Sequence, residues 1–155
     1  MLKPYKYQQD IINSESHKDS HALFVGMGLG KTLLSLELMK LKPIKKLLII
    51  CLKSKRHEWQ EDALSQNNLN LVILDKGTKK NISLLESDCD GFVVNFESVW
   101  RLDKAILDIV DESWGIIVDE SHNIKNPRSK VTRFHMKLGN RTKYKTILTG
   151  TPQSD

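Results

Sequence analysis

Six short apolar runs punctuate the chain, and longer stretches with helical spacing separate them. The runs are HALFV (21–25), KLLIICL (46–52), LNLVILD (69–75), GFVVNF (91–96), WGIIVD (114–119) and YKTILTG (144–150). Each is rich in Ile, Leu and Val with little alternation, the pattern of strands buried on both faces of a parallel sheet. Amphipathic helices are expected at 5–14, 32–41, 54–66, 97–113 and from Arg128 to Leu138. Strands alternating with helices predict a three-layer α/β fold, a mainly parallel sheet flanked by helices on both faces. Ligands bind such sheets at the carboxyl ends of the strands. Every motif below falls there.

At 155 residues, with 39% apolar and 28% charged, the chain has the size of one domain with an ordinary core. Its longest apolar run, Leu47 to Leu52, is too short to span a bilayer. The opening MLKPYKYQQD lacks the apolar stretch of a secretory signal. An intracellular protein with no membrane partner is expected. Cys51 and Cys89 are too few for a disulfide framework or a zinc site, and read as small apolar packing groups. His17, His21, His57 and His135 show no metal-ligand spacing. The net charge is +5, but its distribution says more. From Asn123 to Ile147 there are eight basic residues and no acidic one; from Asp75 to Glu120 eleven acidic residues face five basic ones. Segregated positive charge favours polyanions, and a solvated lysine-rich face is the plainer alternative.

Chemistry concentrates in three places. GMGLGKT (Gly26, Met27, Gly28, Leu29, Gly30, Lys31, Thr32) lies between an apolar strand and a leucine-rich helix. Its glycines let the backbone N–H groups turn inward around phosphate oxygens, at the positive end of the following helix. Lys31 is placed to reach the β- and γ-phosphates of ATP, and the Thr32 hydroxyl to hold Mg²⁺. The full P-loop pattern wants glycine at position 25, where this chain has Val25. Next, IIVDESH delivers Asp119 and Glu120 to the end of an apolar strand. Asp119 suits the metal and Glu120 the orientation and deprotonation of water; an acidic helix-capping turn that includes Ser121 is the other reading. Last, ILTGTP (147–152) ends a strand in hydroxyls and glycine. Thr149 and Thr151 could sense the γ-phosphate, or mark an ordinary strand exit.

Taken in order, MGLGKT, LLIICLKSKRHEWQEDA, VVNFESVW, IIVDESHNIKN and ILTGTP resemble the first motor lobe of the Swi/Snf-type DNA translocases, a branch of the superfamily-two helicases. DEAD-box RNA helicases are less similar, since their third motif is Ser-Ala-Thr. The resemblance covers essentially the whole chain, 1–155. It implies a P-loop, RecA-like ATP-binding lobe with a DEAH-like box, ATP and Mg²⁺ as cofactors, and duplex DNA as partner. It implies that Gln8 reads adenine with Tyr7 or Tyr5 beside it, and that Lys53 and Ser54 touch a DNA phosphate, with Leu52 where the family has proline. Asn95, where threonine is commoner, would face DNA. His122, Thr149, Gly150 and Thr151 would couple nucleotide to DNA, with Lys125 and Asn126 near the DNA path. Trp59 matches a helix-packing tryptophan; Trp100 and Trp114 read as core. The family adds a second RecA-like lobe carrying arginine fingers, which are worth roughly 10³ to 10⁵ in rate. This chain alone is therefore expected to bind nucleotide weakly and hydrolyse it slowly. Two alternatives stay open: a P-loop ATPase without a nucleic-acid partner, and a non-enzymatic interaction module.

Overall fold

The computed structural model describes residues 3–24, 30–121 and 128–149. In chain order it runs α1 (Lys6–Glu15), β1 (Ser20–Phe24), α2 (Lys31–Lys40), β2 (Lys46–Cys51), a 3-10 turn (Lys53–Lys55), α3 (Arg56–Asn67), β3 (Leu71–Ile73), α4 (Thr78–Leu84) and β4 (Gly91–Asn95). Then follow α5 (Phe96–Val99), a second 3-10 turn (Trp100–Leu102), α6 (Asp103–Ile109), β5 (Trp114–Val118), α7 (Lys130–Gly139) and β6 (Lys145–Thr149). The strands form one sheet in the order β1-β6-β5-β2-β4-β3, and every pair is parallel.

Central β2 shows how the apolar runs become two cores. Side chains alternate across a strand, so Leu47, Ile49 and Cys51 point one way and Leu48 and Ile50 the other. The first set packs with Leu34 and Leu38 of α2 and Trp59 and Ala63 of α3. The second packs with Phe96, Leu102, Ile106, Phe134 and Leu138 of the α5–α7 layer. The predicted three layers are present. Among the described residues no helix is long and apolar enough to cross a membrane.

Gly91, the first residue of β4, lies opposite Leu47 of β2. A Cβ there would lie 2.0 Å from the Leu47 carbonyl oxygen, and the backbone φ is +159°. Gly91→Ala must therefore part the strands or bend them, and is expected to destabilise the domain by about 2 kcal/mol or more. Urea unfolding followed by circular dichroism checks this; an unchanged midpoint would refute it.

Two elements differ from expectation. The helix expected over 97–113 is three short pieces that end at Ile109. Asp103 turns its carboxylate onto the Lys104 amide, and Asp111 accepts from the Ser113 amide. Such local side-chain bonds compete with the helical ladder. The short helix α4 has no counterpart among the expected elements, because its sequence TKKNISL carries no apolar stripe. Buried Asn81 holds it instead, its amide accepting from Lys76 N and donating to Lys76 O.

Candidate nucleotide site and nucleic-acid edge

The carboxyl ends of β1, β6, β5, β2 and β4 form one rim, and the start of α2 lies against it. Lys31 is the first residue of α2 and follows Gly30, whose φ of +74° is left-handed. There the chain turns sharply into the helix, and glycine carries no steric penalty. A side chain at Gly30 would also strike Gln8, since a Cβ would lie 2.3 Å from its Nε2. Gln8 is buried on α1, its Oε1 accepting from Tyr5 N at 2.8 Å and its Nε2 donating to the Tyr7 hydroxyl at 3.3 Å. The rings of Tyr5 and Tyr7 stack with centroids 6.2 Å apart, and both are exposed.

Beside Lys31 stand the two acids. Asp119 extends β5 by one residue, its N–H donating to the Ile50 carbonyl at 2.8 Å. Glu120 has φ +56°. That left-handed conformation is uncommon outside glycine and marks a turn just past the strand. Lys31 Nζ lies 2.5 Å from Glu120 Oε1 and 3.2 Å from Asp119 Oδ1. Burial works to lower the Lys31 pKa, but the Glu120 hydrogen bond and the Asp119 charge outweigh it and hold it above the ordinary lysine value. The two sequence motifs thus meet, although they lie far apart in the chain.

Asp119 itself is almost fully buried. The indole Nε1 of Trp59 donates to its Oδ2 at 3.0 Å, while its Oδ1 faces Lys31 Nζ at 3.2 Å. Burial, and then the Asp119 charge, push the neighbouring Cys51 thiol up to about 12, which keeps that cysteine protonated and inert. Among the described residues no group of three His, Cys, Asp or Glu side chains is arranged to hold a metal unaided. A carboxylate oxygen that already faces a cation, Asp119 Oδ1 toward Lys31, fits Mg²⁺, which is usually held by one or two carboxylates together with substrate phosphates.

Thr149, the last residue of β6, is buried beside Phe24 at the end of β1. Lys53 and Ser54 sit exposed on the 3-10 turn that follows β2. Asn95 ends β4 opposite Cys51, but it is buried rather than presented outward. Its amide accepts from Arg56 Nη1 at 3.3 Å and donates to Glu97 Oε2 at 2.6 Å. That hydrogen bond, against a smaller opposing effect of burial, holds Glu97 below the usual carboxylate range. Gly26, Met27, Gly28, Leu29, His122, Lys125, Asn126, Gly150 and Thr151 lie outside the described residues.

Sequence reasoning misses Arg56 and the Trp59–Asp119 bond. Arg56 fastens the 3-10 turn, its Nε donating to the Lys53 carbonyl at 3.2 Å. Its place in KSKR after a strand is the signal that could have found it. The indole bond has none, because helical spacing shows a buried face and not where an N–H points. The basic stretch also divides. Lys145 Nζ donates to the Gly139 carbonyl at the end of α7, and Lys143 pairs with Asp19. Lys130, Arg133 and Lys137 line an open groove of about 400 Å³ with Trp100 and Arg101. Trp114 is core, as expected; Trp100 is only half-buried, with Arg101 and Lys130 cations 5.4 and 5.1 Å from its ring centre.

The sheet order and the lysine–acid pair define a RecA-like α/β lobe. The chain belongs to the family of the SNF2-related domain, whose model matches residues 9–155. It is 31% identical over 165 residues to the ISWI chromatin-remodeling complex ATPase ISW2 of Saccharomyces cerevisiae, covering 97% of this chain and 14% of that protein. It is 33% identical over 138 residues to the Nuclear protein STH1/NPS1 of the same yeast, covering 81% of this chain and 10% of that one. Among solved structures it is similar to the Sulfolobus solfataricus SWI2/SNF2 ATPase core in complex with dsDNA, with a TM-score of 0.79 and 26% identity, over 97% of this chain and 34% of that one. The chain thus spans about a third or less of the proteins it matches.

Proposed function

We propose that this lobe binds Mg·ATP and, joined to a second RecA-like lobe, drives DNA-dependent ATP hydrolysis by a Swi/Snf-like translocase. One observation carries the reading: Lys31 meets both Asp119 and Glu120 at the strand ends. Family membership supports it. Gln8 and Tyr7 are proposed to meet the adenine base, with residues 26–30 around the phosphates. Magnesium, when bound with the nucleotide, neutralises charge on the transferring phosphoryl oxygens. Asp119 Oδ1 and the Thr32 hydroxyl are the groups proposed to hold it. Lys31 leaves the carboxylates for the phosphate oxygens, and Glu120 orients water and takes its proton. Thr149, His122, Gly150 and Thr151 are assigned to coupling. Lys53, Ser54, Lys125 and Asn126 are assigned to DNA phosphates, and Asn95 to holding Arg56 and Glu97 beside them. Contacts of that kind give affinity without sequence reading.

The test is ATP turnover of the full-length protein with duplex DNA, single-stranded DNA or RNA. Duplex is expected to stimulate most, and the apparent DNA affinity to fall steeply between 50 and 200 mM salt, by about 10³-fold or more where six or more phosphates are contacted. Turnover indifferent to every nucleic acid would return the chain to the class of P-loop ATPases acting on something else. The isolated chain is expected to hydrolyse ATP slowly, because an arginine finger from a second lobe contributes roughly 10³ to 10⁵ in rate. Its localisation is proposed to be intracellular.

A further inference from the structure

We infer that Trp59 is a positioning residue for Asp119, and that it ties this carboxylate to the turn assigned to DNA. The inference rests on the proposed nucleotide site and adds a residue to it. A carboxylate free to rotate presents either oxygen to a cation. Here the indole N–H holds Oδ2 at 3.0 Å in a fully buried bond, which leaves Oδ1 as the oxygen facing Lys31 at 3.2 Å. Groups that hydrogen-bond a metal-ligating carboxylate fix its orientation and tune its basicity. Packing alone needs only the ring. The N–H is aimed at the one buried acid of the site.

Trp59 is also one turn into α3, and that helix continues directly from the 3-10 turn bearing Lys53 and Ser54. Arg56 lies between them, bonded back to Lys53 O and across to Asn95 Oδ1. The DNA-assigned turn, the end of β4 and the Asp119 carboxylate are therefore joined through one rigid helix. A shift of the turn moves the indole, and the indole moves the oxygen.

The test uses full-length protein carrying Trp59→Phe, which keeps an aromatic ring and removes the donor. Mn²⁺ affinity in the presence of a nonhydrolysable ATP analogue, followed by electron paramagnetic resonance, is expected to fall about tenfold or more. The ratio of duplex-stimulated to basal turnover is expected to fall with it. Unchanged Mn²⁺ affinity alongside a lower melting temperature would reduce Trp59 to packing and overturn the inference. Weakened metal binding with an unchanged stimulation ratio would overturn the tie to the DNA turn. Asp119→Asn separates the two levels: if it too leaves Mn²⁺ affinity unchanged, the nucleotide reading fails, and not only the role of Trp59. Should Trp59→Phe not fold, nitrogen-15 labelling of the tryptophans still decides. The Trp59 indole N–H signal must move in Asp119→Asn, and an unmoved signal overturns the bond.

Discussion

Glu120→Gln in the full-length protein is expected to bind ATP within a few-fold of the parent and to turn it over about 10² to 10⁴ times more slowly, the usual contribution of a positioned acid or base. Glutamine matches glutamate in size, and so can keep the left-handed backbone at φ +56° at similar cost. It cannot accept a proton from water near neutral pH. Lys31 keeps its second carboxylate partner, Asp119 at 3.2 Å. Binding and turnover should therefore separate. Equilibrium binding of a fluorescent nucleotide and single-turnover hydrolysis measure the two independently. Turnover equal to the parent's would remove Glu120 from the chemistry.

Glu120 belongs to the part of the site that is legible in the amino-acid sequence alone. The six apolar runs become six strands; β2, β4 and β5 are buried on both faces, which removes alternation, whereas β1 and β6 expose Ala22 and Ile147 on one face. Lys31, Asp119 and Glu120 each follow a strand, and a parallel sheet gathers strand ends at one rim. Topology therefore implies that these distant motifs meet. Asn95 falls at that rim as its motif predicts, but its orientation does not. Its amide faces Arg56 of α3 and Glu97 two residues on, a choice the motif does not show. Trp59 shows the same gap. Its buried position follows from helical spacing with Ala63, whereas its bond to Asp119 spans 60 residues and depends on how α3 lies against the sheet. Helix α4 is hidden because one amide, Asn81, holds it where periodicity expects an apolar face. Patterns report burial; they do not report where polar groups aim.

Lys31→Ala in the full-length protein is expected to lower ATP affinity about 100-fold or more. Each charge-assisted hydrogen bond contributes about 1.5–3 kcal/mol, and tenfold in affinity corresponds to about 1.4 kcal/mol. Loss of one such bond gives roughly tenfold, and loss of two gives the larger figure. A further penalty adds to it. Lys31 stands between Asp119 and Glu120, so in its absence the triphosphate approaches two carboxylates without that cation. Excess magnesium screens this repulsion only in part. The clearest readout is stabilisation by ligand. At a nucleotide concentration 100 times the parent's Kd, linkage gives about 2.7 kcal/mol of added stability. A variant weakened 100-fold gains only about 0.4 kcal/mol, by the same relation. The rise in Tm with nucleotide should thus nearly vanish while the nucleotide-free protein still melts cooperatively. A full rise in the variant would mean that the triphosphate sits elsewhere, and the assignments of Asp119, Glu120 and Thr32 would fall with that of Lys31.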